Sequence, residues 1–119
     1  MDNAARRGGQ ATQGLEPLME RQRGLVRDVR GKGLMIGVQF DSGDTAEAVQ
    51  WAAFERGLLV LEAGDDVVRL SPPLVVDETD VDTAVRIFGE AVDEVARDPR
   101  GAYQRAKKWE NIDDGEVDG

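Results

Sequence analysis

The chain has 119 residues and contains neither cysteine nor histidine, which leaves room for one domain with one core. Without a thiol or an imidazole, Ser-His and Cys-His hydrolases and the usual zinc sites are excluded. The net charge of −9 weighs against nucleic-acid binding, because phosphate contacts need clustered Lys and Arg. No apolar run approaches the roughly 18 residues of a membrane span, and the N-terminus lacks the apolar core of a secretory signal. We therefore expect a soluble, cytoplasmic protein with no membrane or nucleic-acid partner.

The kind of charge is more informative than its sum. The 24 acidic residues face 15 basic ones, of which only 3 are lysines. An excess of acid with few lysines suits a protein that stays hydrated in concentrated salt, because carboxylates hold water and net charge opposes association. The pattern thus favours a salt-adapted, halophilic protein, and an ordinary acidic cytoplasmic protein is the alternative.

The predicted elements begin with a helix. The N-terminal region, residues 1–24, places Leu15, Leu18 and Met19 on one helical face. Glycines and a proline weaken the helix interior, so we expect the helix to begin near Gln10.

Two strands follow around a glycine bend. Residues 25–30 and 34–40 are strand-like, and Gly31-Lys32-Gly33 interrupts them. The glycine spacing is GxGxxxG rather than GxGxxG, and no helix starts there to bind a phosphate. We therefore predict that the bend serves shape, letting two strand segments cross or another chain approach closely.

A helix and a hairpin are predicted next. Asp44 can cap the helix, with Glu47 in the capping-box position, and Gly57 fits the left-handed position that ends it. Residues 58–61 and 67–70 then form two strands joined by a short turn.

The last predicted helix has the clearest pattern. Its apolar residues recur at intervals of three and four from Val81 to Ala96. Asp77 can cap its start, and Asp98-Pro99 ends it.

These elements predict an α+β fold, with a small, largely antiparallel sheet and helices packed on one face. The predicted domain covers residues 25–98. The chain after it, residues 99–119, is acidic, and its last ten residues hold five acids and no base. We predict a disordered tail there, with a short polar helix around residues 102–109.

Arg69 is the candidate functional residue. It lies in an apolar strand, between Val68 and Leu70 and shortly before two prolines. Its planar guanidinium matches a carboxylate, so it can bind a substrate carboxylate. The alternative is a salt bridge to Glu62 or Asp66 across the hairpin.

Other chemically capable residues suggest no site. The carboxylates form no defensible catalytic pair, because they occupy turns and helix starts, where solvated or capping acids are usual. Trp51 and Trp109 are interpreted as packing residues rather than stacking platforms for a ligand.

Three segments together resemble class III aminotransferases, of the 4-aminobutyrate and acetylornithine aminotransferase type. The run from Val29 to Val38 is similar to the segment that opens the family's small C-terminal domain. Arg56-Gly57-Leu58-Leu59-Val60 and Val68-Arg69-Leu70-Ser71-Pro72-Pro73-Leu74 resemble its next two markers, in the same order. The resemblance covers roughly residues 3–97.

The resemblance implies a dependence on pyridoxal phosphate that this chain cannot meet alone. In the family, the catalytic lysine and the phosphate-binding loops lie in a large domain, which the chain lacks. None of the three lysines, Lys32, Lys107 and Lys108, resembles the Schiff-base position. The resemblance also gives Arg69 a role at the active-site mouth, where it binds a substrate carboxylate or pairs with a glutamate of the large domain.

Two hypotheses follow. In the first, the chain is the C-terminal segment of an aminotransferase. It is inactive alone and is completed by a large-domain polypeptide or within a homo-oligomer. The complete enzyme would transfer an amino group from an amino acid or ω-amine to a 2-oxo acid. In the second, the chain is a non-catalytic α+β binding or assembly module that keeps the domain fold.

Overall fold

The computed structural model describes residues 3–32, 35–62, 64, 66–70 and 78–115. Its elements, in chain order, are α1 (Asn3–Leu15), α2 (Pro17–Arg21), β1 (Val26–Lys32), β2 (Met35–Phe40), α3 (Gly43–Glu55), β3 (Leu61–Glu62), β4 (Val67–Leu70), α4 (Glu78–Arg97) and α5 (Pro99–Gly115).

The strands form one antiparallel sheet in the order β1-β2-β4-β3. Along β2, the side chains of Ile36, Val38 and Phe40 are buried, whereas Met35 on the other face is exposed. Successive side chains of a strand point to opposite faces, so the sheet has one buried and one open face. The predicted α+β fold with helices on one face is confirmed.

The core lies between the sheet and helices α1, α3 and α4. Phe40 of the sheet contacts Phe88 of α4, with ring centroids 6.4 Å apart, and both side chains are almost fully buried. Because these helices supply apolar cover for this face, the sheet depends on them for its stability.

The N-terminal helix is longer than predicted. It begins at Asn3 rather than near Gln10, and it passes through three glycines. Its buried side chains, Ala11 and Leu15, belong to the core. Packing of this face against α4 and β1 outweighs the weak intrinsic helix propensity of the glycines.

The glycine bend serves neither of the two predicted purposes, a crossing of strand segments or the approach of another chain. The close approach at Gly31 is by the chain's own α1, because a Cβ atom there would collide with the Thr12 Oγ1 atom. Strand β1 continues through Gly31 to Lys32, which pairs with Met35 of β2. The two segments are therefore separate antiparallel strands, and Gly33 lies outside the described residues.

Two local predictions around α3 were wrong. Ser42 caps this helix, and its hydroxyl accepts a hydrogen bond from the Thr45 N–H at 3.2 Å, so Asp44 lies in the first turn instead. The strand predicted at residues 58–61 begins only at Leu61. The Leu58 N–H donates a hydrogen bond to the Ala53 carbonyl. This bond holds the chain against the end of the helix and keeps Leu58 out of the strand pairing. Gly57 does take the predicted left-handed conformation, with φ of 88°.

The prediction of a disordered tail from residue 99 was wrong for residues 99–115, because these residues form helix α5. Helix α4 ends at Arg97, as expected, but the Asp98 carboxylate accepts a hydrogen bond from the Gly101 N–H and starts α5. Ala102 and Ala106 are buried against the rest of the chain. These apolar positions are few and small, so the sequence pattern did not distinguish the helix from a charged tail. The predicted cap at Asp77 lies outside the described residues.

Candidate substrate-binding site

Arg69 lies on the open face of the sheet. It is the third residue of β4, where Val68 and Leu70 on either side are buried and Arg69 itself is exposed. Its cross-strand neighbours are Gly37 of β2 and Leu61 of β3. Burial of the flanking residues fixes the register of β4, so the same apolar pattern that forms the core directs Arg69 outward.

Arg69 borders a shallow depression on this face. The depression has a volume of about 380 Å³. It is lined by Arg30, Gly31, Met35, Ile36, Gly37, Val67 and Arg69. The lining combines two guanidinium groups with apolar side chains and bare backbone at the glycines, which suits a small anion with a short carbon chain.

The predicted alternative for Arg69, a salt bridge across the hairpin, is not formed within the described residues. Glu62 pairs with Val68 in the ladder, and directly opposed residues share a face, so Glu62 lies on the opposite side from Arg69. Asp66 instead accepts a hydrogen bond from the Gln39 side chain at 3.1 Å. In this part of the chain, no hydrogen bond or ion pair holds the Arg69 guanidinium.

A second arginine cluster, on the helical side, was not predicted. Arg56, at the end of α3, donates to Glu94 of α4, and Arg105 of α5 donates to the other oxygen of Glu94 at 2.8 Å. Partial burial raises the pKa of Glu94, but hydrogen bonds from the two arginines lower it more, so the net shift is downward. The three residues are distant in sequence, and no spacing rule brings them together. We call them the Arg56–Glu94–Arg105 cluster.

The aromatic side chains pack as predicted. Trp51 of α3 and Trp109 of α5 are stacked, with ring centroids 6.0 Å apart, and Phe54 contacts both rings edge-on. The Trp109 indole N–H donates to Glu55 at 2.9 Å. These rings therefore join α5 to α3 rather than line a cavity.

The described residues do not fit pyridoxal phosphate. The Lys107 ammonium lies 3.8 Å from Glu47 and over the Tyr103 ring, on the helical side. Lys108 is exposed on α5, and the side chain of Lys32 lies outside the description. None of the described lysines lies in the depression beside Arg69. None of the described lysines is therefore placed to form a Schiff base beside Arg69.

The described part of the chain contains no group of three or more acidic side chains that could hold a metal ion. None of its helices is long and apolar enough to cross a membrane.

Sequence comparison identifies the family. The class III aminotransferase family model matches residues 1–92. The acetylornithine aminotransferase of Gloeobacter violaceus is 46% identical over 88 residues, which are 74% of this chain and 22% of that protein. The enzyme of the same name from Caldanaerobacter subterraneus is 35% identical over 95 residues, or 80% of this chain and 24% of that protein. The chain thus spans about a quarter of the length of these relatives.

Solved structures agree with the sequence match. The acetylornithine aminotransferase of Elizabethkingia anophelis superposes with a TM-score of 0.71 at 33% identity, over 76% of this chain and 24% of that one. A lysine aminotransferase of M. tuberculosis gives a TM-score of 0.73 at 29% identity, over 77% and 21% respectively. The open-faced sheet with its helical cover is therefore a part of the aminotransferase fold, and the chain belongs to the class III aminotransferase family.

Proposed function

We propose that the chain is the small C-terminal part of a pyridoxal-phosphate-dependent aminotransferase and acts only together with a large-domain partner. The observation that carries the proposal is the position of Arg69 in a sheet whose helices cover one face only. The guanidinium is held outward without an ion-pair partner among the described residues, at the edge of a depression of about 380 Å³. In the complete enzyme this face meets the substrate.

Arg69 supplies binding and orientation rather than bond making. Its planar fork donates a hydrogen bond to each oxygen of a carboxylate, so it fixes one end of an amino acid or 2-oxo acid. The cofactor, held by the other part of the enzyme, would supply the carbanion-stabilising chemistry at the reacting carbon. A donor without that carboxylate gains nothing from Arg69.

Kinetics of a complete enzyme assembled around this chain test the proposal. Arg69→Ala should lower kcat/KM for a carboxylate-bearing donor about ten- to hundredfold, which corresponds to the 1.5–3 kcal/mol of a hydrogen bond to a charged group. Arg69→Lys should restore part of the loss, because lysine keeps the charge but not the fork. A simple amine donor is the control. Equal losses for both donors would refute the carboxylate role.

That experiment needs a partner polypeptide that carries the catalytic lysine. A second copy of the chain does not supply one, because none of its three lysines resembles the Schiff-base position. We expect the chain alone to form no specific pyridoxyl adduct on borohydride treatment. A stoichiometric single-site adduct with turnover of an amino donor, detected by mass spectrometry and by assay, would contradict this. If no lysine-bearing partner restores activity, the chain is the non-catalytic assembly module instead.

We further propose that the protein is adapted to a salt-rich cytoplasm. The support is the excess of 24 acidic over 15 basic residues with only 3 lysines. At a net charge of −9, repulsion between surface charges opposes the compact state. In molar salt the Debye length is about 3 Å, so this repulsion is largely screened. The melting temperature, followed by circular dichroism, should therefore be higher in about 3 M KCl than in about 0.1 M KCl. An unchanged or lower midpoint would exclude salt adaptation.

A further inference from the structure

A second depression lies on the helical side, where the start of α3 meets the end of α4 and the start of α5. Its volume is about 310 Å³, at the lower end of the roughly 300–1,000 Å³ of small-molecule sites. The residues that line it and carry the argument are Asp44, Ala48, Val95, Pro99, Arg100 and Tyr103. It shares no residue with the depression beside Arg69, so the two are separate. We call it the α3–α5 depression.

Two opposite charges border the α3–α5 depression without binding each other. Asp44 lies in the first turn of α3 and Arg100 in the first turn of α5, and both side chains are exposed. Among the described residues, neither side chain makes an ion pair or a hydrogen bond. The Asp44 charge suits the positive end of α3, but this effect leaves its two oxygens open to a ligand. Both groups therefore keep their full binding capacity.

The surface between the two charges is apolar. Ala48 of α3 and Val95 of α4 are almost fully buried and form its floor. Pro99 and the half-buried Tyr103 ring supply its side. The Lys107 ammonium lies over the Tyr103 ring, 5.0 Å from the centroid, which helps to hold the ring in place. A ligand that fits this surface therefore needs a short apolar group as well as charge.

The α3–α5 depression depends on a part of the chain that the family model does not cover. The class III aminotransferase match ends at residue 92, whereas Pro99, Arg100 and Tyr103 belong to α5. Helix α5 is attached to α3 by the stacked ring of Trp109, so this wall is part of the packed structure. Family membership therefore says nothing about what binds here.

We infer that the α3–α5 depression binds a zwitterionic amino acid with an apolar side chain. Arg100 donates hydrogen bonds to the ligand carboxylate, and Asp44 accepts them from its ammonium group. The apolar side chain lies on the surface between them. One small zwitterion satisfies both charges at once, whereas a simple anion or cation leaves one of them without a partner. The inference goes beyond the proposed function and does not rest on it, because no residue of this site is used at Arg69.

Titration of the 119-residue chain with three matched ligands tests the site. L-Leucine carries both charges, 4-methylpentanoate lacks the ammonium group, and 3-methylbutylamine lacks the carboxylate. Amide chemical shifts are followed at the lowest salt concentration where circular dichroism shows a folded chain. Leucine should bind about threefold more tightly than either of the others, the factor expected for one added exposed ion pair. Its shifts should concentrate on the first turns of α3 and α5.

Three variants assign the two charges. Arg100→Ala should weaken leucine and 4-methylpentanoate about threefold and leave 3-methylbutylamine unchanged. Asp44→Asn should weaken leucine and 3-methylbutylamine about threefold and leave 4-methylpentanoate unchanged. Arg27→Ala is the matched control, because it removes an exposed arginine of β1 and changes the net charge as Arg100→Ala does. It should change none of the three affinities.

Equal affinities of the unchanged chain for the three ligands, or no shifts with leucine, would overturn the inference. So would an Arg100→Ala variant that still prefers leucine to 3-methylbutylamine, or an Arg27→Ala variant that loses this preference. Leucine shifts concentrated on β2 and β4 would also overturn it, because they would place the amino acid beside Arg69. The kinetic role of Arg69 is decided separately, by the donor comparison in the complete enzyme.

Discussion

The two arginine environments of this chain differ in what they do for the fold. On the helical side, Arg56 is 28% exposed and bound to Glu94, which also binds Arg105 of a third helix. On the open face, Arg69 is exposed and has no ion-pair partner within the described residues. A guanidinium bound by its own chain holds elements together, whereas one left in solvent costs folding little and stays available to a ligand. The same residue type therefore stabilises the fold on one side and stays available to a ligand on the other.

The aromatic contact between α5 and α3 should show the largest effect on stability. Trp109→Ala removes a half-buried ring stacked on Trp51 and in contact with Phe54. We expect a loss of about 2–3 kcal/mol in the free energy of unfolding, less than the 3–5 kcal/mol of a fully buried ring. Urea unfolding measures the loss, and amide exchange should be fastest in α5.

A conservative change at the same position serves as the control. Trp109→Phe keeps most of the ring contact and loses only the bond to Glu55, so its loss should be about 1 kcal/mol. If the two variants were equally stable, the aromatic contact would not be what attaches α5, and the contrast between the two faces would lose its structural basis.

The general architecture could be predicted because it depends on local apolar patterns. The strand around Val38 and the helix around Phe88 are periodic over several residues, and burial of one face determines both. Helix α5 was predicted only as a short helix around residues 102–109, because its apolar positions are small alanines among charges, and its Trp109 packs on a residue 58 positions earlier in the chain. The sequence around Trp109 gives no indication that Trp51 is its packing partner.

The site was predictable in part for the same reason. Arg69 stood out because a charge in an apolar strand has to lie on the opposite face from its neighbours. Arg30, which lines the same depression, did not stand out, because its position opposite Gly37 depends on the register of the β1–β2 ladder, which shifts at a bulge between Val26 and Asp28. The Arg56–Glu94–Arg105 cluster likewise requires three packed helices before it exists.

Glu94 should show the next largest effect. Glu94→Gln keeps the shape but removes the charge that both arginines bind, so we expect a loss of about 1–2 kcal/mol in unfolding free energy, because hydrogen bonds to charged groups are the stronger ones. The matched control is Glu20→Gln, where the carboxylate is 75% exposed and pairs with Arg23 at 2.8 Å, away from the cluster. Its loss should stay below about 0.5 kcal/mol. Similar losses at both positions would remove the distinction between the cluster and an ordinary surface pair.

The pH dependence of the Glu94 contribution follows from its lowered pKa. A carboxyl group whose pKa is lower in the folded chain stabilises the fold while it is ionised. The difference in stability between the unchanged chain and Glu94→Gln should be constant at neutral pH. It should shrink as the pH falls below 4.5, the ordinary value, and vanish below the pKa of the folded chain. Urea titrations at a series of pH values measure it, and a difference that grew towards acid would contradict the assignment.

The smallest effect is expected at Arg69, and it is the most direct test of the comparison. Arg69→Ala removes an exposed side chain with no ion-pair partner in the described residues, so the free energy of unfolding should change by less than about 0.5 kcal/mol. Arg56→Ala, the same substitution on the helical side, leaves Glu94 with Arg105 alone and should cost about 1–2 kcal/mol. Urea unfolding of both variants at neutral pH decides between them. A loss at Arg69 as large as that at Arg56 would mean that the open face is held by its arginine, and that Arg69 is a structural residue before it is a binding one.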